Sequence, residues 1–184
     1  MATALLLMDF QEGIVEQISD GREELLARAN DALRAARSEG LLIVLIRVAL
    51  RSADRSVSLR NKVFSALGNT GAFGEDDPAT QISPSLEVND ADLVITKRRV
   101  SAFAGSDLEV VLRAHDVTEL VVGGIATSGV VLSTVRQAAD LDFGLTVLSD
   151  ACFDRDPEVH RVLLDKVFPR QALVCTVSEW SARR

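Results

Sequence analysis

Two side chains of opposite charge stand directly at the ends of apolar runs: Asp9 after Ala4-Leu5-Leu6-Leu7-Met8, and Lys97 after Leu93-Val94-Ile95-Thr96. A charge delivered by a buried strand into a cleft can work as an acid or a base. Each partner keeps the other ionised when the two meet in a partly dry space. A third feature, Gly123-Gly124-Ile125-Ala126-Thr127-Ser128-Gly129, precedes a helical pattern. Its glycines allow close backbone approach, and the amides of the following turn suit an anion or a developing oxyanion. It has the spacing of neither a dinucleotide fingerprint nor a Walker loop. Plainer roles stay open: Asp9 and Lys97 as residues that satisfy backbone groups or solvate a strand edge, and Thr127 or Ser128 as a helix N-cap.

These groups need a scaffold that brings strand ends together. Residues 4–8 form an apolar run without polar interruption, as expected of a central parallel strand buried on both faces. Asp20 and Glu23 have the spacing of a capping box. Leu25, Leu26, Ala29, Leu33 and Ala36 then recur at helical intervals before Gly40, a natural stop. Residues 41–48 read as a second strand, so strand, helix and strand make a right-handed crossover. Further strands are expected at 93–96, 120–122, 145–148 and 172–175, and helices at 107–114, 127–141 and 158–167, with Val131, Val135 and Ala138 or Ala139 pointing inward. Between 49 and 90 the periodicity fades into glycines, prolines and the Glu75-Asp76-Asp77 cluster. Loops this long usually shape a site, so short helical pieces forming a lid or a subunit contact are expected there.

The fold class is therefore α/β, a mostly parallel sheet covered by helices on both faces, in one domain spanning residues 1–184. Ligands of open parallel sheets bind beyond the carboxyl ends of the strands, where Asp9, Arg47, Lys97 and the 124–130 turn all fall. Twenty basic against twenty-seven acidic side chains give a net charge of −7, which disfavours nucleic acid or an anionic membrane as partner. With no tyrosine and 4% aromatic residues there is little material for base stacking. Asp9 interrupts the first apolar run before it reaches the length of a signal peptide or a membrane span, and Cys152 and Cys175 lack the spacing of a disulfide or zinc framework. A cytoplasmic protein acting on a small molecule is the expectation.

His115 and His160 sit in no metal-ligand spacing and read as surface or structural residues, so no metal or cofactor is expected. Cys152, just beyond the fifth strand, is near enough to approach the cleft, although a small buried hydrophobe is the commoner role. No Gly-x-Ser-x-Gly elbow nominates a serine.

Taken in order, these pieces resemble the isochorismatase-like, or cysteine hydrolase, superfamily across nearly the whole chain. Leu6-Leu7-Met8-Asp9-Phe10-Gln11 looks like its opening strand and catalytic Asp, and Lys97 followed by Ser101-Ala102-Phe103 and Leu108 looks like the segment of its catalytic Lys. Gly124-Ile125-Ala126-Thr127, continued by Ser133-Thr134, resembles its nucleophile loop. The resemblance implies a six-stranded parallel sheet in a three-layer α/β/α sandwich, a homo-oligomer, a cis peptide between Ile125 and Ala126, and an oxyanion loop over Ile125, Ala126, Thr127, Ser128 and Gly129. Gln11, Arg47 and Phe103 become candidates for substrate binding. Either Arg47 or Arg51 is suited to a bidentate contact with a carboxylate, or else to a salt bridge with solvent-facing or subunit partners. The histidine pair of the nicotinamidase branch is missing from the Arg47-Val48-Ala49-Leu50-Arg51-Ser52 segment.

One departure stands out. The family's nucleophilic cysteine falls on Val130, and an isopropyl group cannot attack a carbonyl, so hydrolysis through a thioester is disfavoured. True isochorismatases hydrolyse a vinyl ether without that cysteine. On that precedent Asp9 is the acid, an oxocarbenium-like centre develops, and water attacks it beside Lys97. Asp9 must be protonated when it acts, so burial or a substrate carboxylate has to offset the pull of Lys97 toward a lower pKa. The leading expectation is a hydrolase of a small anionic metabolite. Its rivals are a serine-dependent amide hydrolase using Ser128 or Ser133, and a non-catalytic binding or assembly protein that kept the fold.

Overall fold

A computed structural model describes residues 2–51, 57–69 and 73–183. Six strands, β1 (Ala2–Met8), β2 (Leu42–Val48), β3 (Leu93–Lys97), β4 (Val117–Ile125), β5 (Gly144–Phe153) and β6 (Leu173–Cys175), form one sheet in the order β3-β2-β1-β4-β5-β6. Every neighbouring pair is parallel. The chain winds outward from β1 to β3, returns to β4 beside β1, and winds outward again. The boundary between β1 and β4 is therefore the topological switch point, where the crossovers diverge and leave a crevice at the strand ends.

Alternation along the strands builds two cores. Ala4, Leu6 and Met8 of β1 face Val44, Ile46 and Ile95 beneath α4 (Leu108–Ala114) and α5 (Leu132–Asp140). Leu5 and Leu7 face α2 (Arg22–Ser38), whose buried stripe contains Ala29, Ala32 and Ala36 beside Leu25, Leu26 and Leu33. Alanines on that stripe let the helix axis lie close to the sheet. Helices on both faces make the three-layer α/β/α sandwich, and no helix among the described residues is long and apolar enough to cross a membrane.

Local details differ from the sequence expectations for physical reasons. The Asp20–Glu23 capping box does not form: Gly21, at φ 77°, is the N-cap of α2 and no side chain caps it. The Gly40 stop is as expected, at φ 64°, with Leu41 N donating to Ala36 O (3.0 Å) and Gly40 N to Arg37 O (3.1 Å) as in a Schellman motif. A capping box does form at Thr176 and Glu179, opening α7 (Val177–Ser181) and burying Trp180 against α2. The helix expected over 127–141 is two pieces, a π-helical turn (Thr127–Val131) and α5, and neither Thr127 nor Ser128 caps it. The helix expected over 158–167 divides likewise into α6 (Pro157–Val162) and a second π-helical turn (Leu163–Val167). The short helix α1 (Glu12–Val15) follows β1, and within 49–90 lie α3 (Lys62–Asn69) and a short 3₁₀ turn (Pro78–Thr80). The part of this stretch holding Ser52 and Gly71 is outside the described residues.

Candidate active site

Asp9 follows the last residue of β1 at φ 63°, a left-handed conformation that Asp tolerates better than most residues. Its amide still bonds the sheet, donating to Ile46 O at 2.8 Å, while its carboxylate turns toward β3. Lys97 is in register with Val48 and so projects from the α4/α5 face. Strands two apart are separated by about 10 Å, a gap that a short carboxylate bridges only to a long side chain. Lys97 Nζ lies 3.0 Å from Asp9 Oδ2 and donates to Arg99 O at 3.0 Å. The two residues are 5% and 2% exposed. Asp9 Oδ1 is buried with no hydrogen-bond partner among the described residues.

Burial is the dominant influence on Asp9 and lifts its pKa to about 6, against the pull of Lys97 through charge and hydrogen bonding. Burial thus offsets the pull of Lys97 without a substrate carboxylate.

Gly124 sits at the switch point, where a Cβ would come within 2.9 Å of Met8 O and 3.3 Å of Val130 Cγ1. Only glycine lets β4 pass this close to the end of β1. The Ile125–Ala126 peptide is cis. In the turn that follows, Gly129 N donates to Ala126 O (3.1 Å), and Ser128 N to Asp154 Oδ2 (2.7 Å). Both amides are thereby committed within the protein, which withdraws Ser128 and Gly129 from the expected set of oxyanion donors. Thr127 Oγ1, fully buried, lies 2.7 Å from His160 Nδ1.

Val130, at the position of the family's nucleophile, is buried in the α4/α5 core with Met8. Cys152 does not replace the missing thiol. It is buried in register with Gly124, and burial pushes its pKa to about 12, so it remains a neutral thiol. The serine alternative gains no base, because His160 Nδ1 is engaged with Thr127 rather than with Ser128 or Ser133.

The three candidate substrate contacts are all engaged within the protein. Gln11 is fully buried and spent on backbone: Oε1 accepts from Val48 N (2.7 Å), and Nε2 donates to Val48 O and Thr80 O (both 2.9 Å). Arg47 is in register with Thr96, on the sheet face opposite Lys97. It donates to Thr96 Oγ1 (2.9 Å) and Gln81 Oε1 (3.0 Å). Phe103 is a core residue with its ring centroid 6.1 Å from that of Phe143. The segment holding Phe103 is anchored to α5 by two contacts the sequence reading missed: Ala102 N to Thr134 Oγ1 (3.0 Å) and Ser101 Oγ to Gln137 Oε1 (2.7 Å).

A cleft of about 420 Å³ runs along the cis peptide, walled by Ile14, Phe73, Ile125, Ala126, Ser128 and Phe153 among others. A wider trough of about 910 Å³ lies beside β3, with Arg51, Arg98 and Arg99 on its walls. Neither is lined by Asp9 or Lys97, which form a buried pair. No group of three or more His, Cys, Asp or Glu side chains among the described residues is placed to hold a metal ion.

The three-layer sandwich is a fold shared with known proteins. The isochorismatase domain matches residues 3–179, and the chain belongs to the isochorismatase family. It is 34% identical over 179 residues to the uncharacterized isochorismatase family protein YecD of Escherichia coli O157:H7, covering 96% of this chain and 93% of that one. Identity to the uncharacterized isochorismatase family protein YwoC of Bacillus subtilis is 31% over 179 residues, covering 97% and 92%. The solved structure of an isochorismatase family protein from Burkholderia thailandensis superposes with a TM-score of 0.86 at 27% identity, over 98% of this chain and 94% of that one.

Proposed function

We propose that this protein hydrolyses a small anionic metabolite by acid-assisted attack of water, with Asp9 as the acid and no covalent enzyme intermediate. The observation that carries this reading is the Asp9 carboxyl itself, lifted by burial to a pKa of about 6, with Oδ1 unpartnered among the described residues and Lys97 3.0 Å from Oδ2. On a vinyl ether, Asp9 gives its proton to the terminal vinyl carbon, and the adjacent ether carbon becomes oxocarbenium-like. Water adds there and returns a proton to Asp9, and the hemiketal so formed breaks into a ketone and an alcohol. Lys97 fixes the orientation of the carboxyl and balances its charge once the proton has left. The buried Val130 is compatible with this route, which needs no nucleophile at that position.

The test is steady-state hydrolysis of isochorismate and related vinyl ethers. Turnover by the wild type should fall at least 100-fold in Asp9→Asn and in Lys97→Ala, in line with the roughly 10²–10⁴-fold contribution of a positioned acid. Because the acid form is the active one, kcat/KM should level off below about pH 6 and fall about tenfold per pH unit above it. Full turnover by Asp9→Asn overturns the reading. A second reading, a binding protein that kept the fold, is favoured by the packing of Val130 into the core. Selective ligand binding with no turnover on a broad panel of vinyl ethers and amides would support it.

A further inference from the structure

The loop after β4 is held by a segment that the proposed chemistry does not use. Two consecutive loop residues are gripped by side chains lying between β5 and the end of α6. Thr127 Oγ1 meets His160 Nδ1 at 2.7 Å, and Ser128 N donates to Asp154 Oδ2 at 2.7 Å. Thr127 is fully buried, so its hydroxyl has no water to turn to if the imidazole is removed. Asp154 in turn is fixed by Asp156 N, which donates to its other oxygen at 3.2 Å. Within the loop itself, Ala126 O accepts from Gly129 N and Val131 N, and Thr127 O accepts from Leu132 N, while the Thr127 hydroxyl and the Ser128 amide are held from outside the loop.

We infer that His160 and Asp154 are positioning residues, a two-point clamp that fixes the backbone orientation at Ala126 and Thr127, just beyond the point where Gly124 meets the end of β1. The inference rests on the proposed function above and adds to it that this backbone borders the reacting anion. Neither residue touches the reacting atoms. Burial holds the His160 pKa below its usual value, against the opposing pull of Asp154 and Asp165, which keeps the ring neutral near pH 7. A neutral imidazole can accept the Thr127 proton or donate to its oxygen, whereas the imidazolium can only donate. Asp154 is held below the usual carboxylate range by the Ser128 and Asp156 bonds, despite partial burial, and so stays an acceptor for the loop amide.

The experiment uses the full chain, with backbone amide exchange and ¹H–¹⁵N spectra read residue by residue and benzoate as the anion probe. His160→Ala should speed exchange of amides 126–131 at least tenfold while those of β1 and central β4 keep their rates. His160→Asn, whose side-chain amide can take the place of Nδ1, should restore the slow rates. Thr127→Val removes the same contact from the other side and should reproduce the effect if His160→Ala does not fold. Asp154→Ala should loosen Ser128 more than Thr127. Unchanged loop exchange in His160→Ala and Thr127→Val overturns the inference, as does an increase shared equally by β1 and β4. Benzoate should shift the Ala126 and Thr127 amides of the wild type, and its affinity should drop about tenfold in His160→Ala. If benzoate leaves those amides unmoved while the exchange pattern is as expected, the anion-facing role of the loop falls and the clamp stands.

Discussion

Arg47 and Lys97 leave the ends of neighbouring strands within one residue of each other in register, yet they belong to different regions of the molecule. Arg47 pairs with Thr96 and projects toward the loops over the α2 face, where Thr96 Oγ1, Gln81 Oε1 and Glu75 O receive its donors. Lys97 projects from the other face into a dry space and meets Asp9 and Arg99 O. A strand sends successive side chains to opposite faces, so a single step in register separates a structural cation from a candidate catalytic one. Apolar runs locate strand ends well. They do not say which of two cations at an edge will face the crevice.

The largest expected effect breaks the dry side of this comparison. Lys97→Ala leaves the Asp9 carboxylate buried without its partner and should cost about 3–5 kcal/mol in urea unfolding at pH 8. The loss should be smaller at pH 5. Removing Lys97 takes away both influences that lower the Asp9 pKa, so the folded-state value rises further above its unfolded value near 3.8. A raised folded pKa means stability that is complete at low pH and is lost as pH rises through the folded value. Equal destabilisation at pH 5 and pH 8 would show that the pair is hydrated, and the contrast with Arg47 would collapse.

Val130 sharpens the same comparison at intermediate size. Val130→Ala removes two methyl groups from the core that Lys97 borders, and should cost about 2 kcal/mol. Val130→Thr keeps the shape and adds a hydroxyl. In a dry site the unsatisfied group should cost about 1–3 kcal/mol, whereas in a wet site the substitution should be nearly neutral. Thermal or urea unfolding of the two variants side by side reads the polarity of the space where the family cysteine would stand.

Much of the scaffold was legible because β1 and β2 are buried on both faces and read as unbroken apolar runs, and the edge strand β3, with Val94 half exposed, still shows Leu93-Val94-Ile95. β5 was cut short at Leu148 because Ser149 and Asp150 interrupt the run. The strand continues to Phe153, with the Asp150 carboxylate accepting from Val177 N at 2.8 Å, and its pairing with β4 skips between Val122 and Gly124. The two capping-box patterns, at Asp20 and at Thr176, differ in outcome because Gly21 takes the N-cap itself. Asp9 and Lys97 could be found at strand ends with the family resemblance as guide. Gln11 and His160 could not be assigned, since their partners lie far along the chain, 37 and 69 residues away for Gln11 and 33 for His160. A polar residue beside a strand end carries no mark of whether substrate or backbone will satisfy it.

The smallest effect tests the other side of the sheet. Arg47→Ala removes hydrogen bonds to Thr96, Gln81 and the Glu75 carbonyl at a partly buried position, and should cost about 1 kcal/mol in unfolding. Gln81 can then turn to water, since it is partly exposed, while Thr96 keeps its place in β3 through the β2 ladder. Turnover and its pH profile should be those of the wild type, because among the described residues no hydrogen bond or ion pair links Arg47 to Asp9 or Lys97. Arg47→Lys discriminates further. An ammonium group can reach one of the three acceptors but not span them as the guanidinium does, so it should recover only part of the lost stability. If instead Arg47→Ala raised KM tenfold with unfolding unchanged, Arg47 would be a ligand contact after all, and the face on which a side chain leaves β2 would not decide its function.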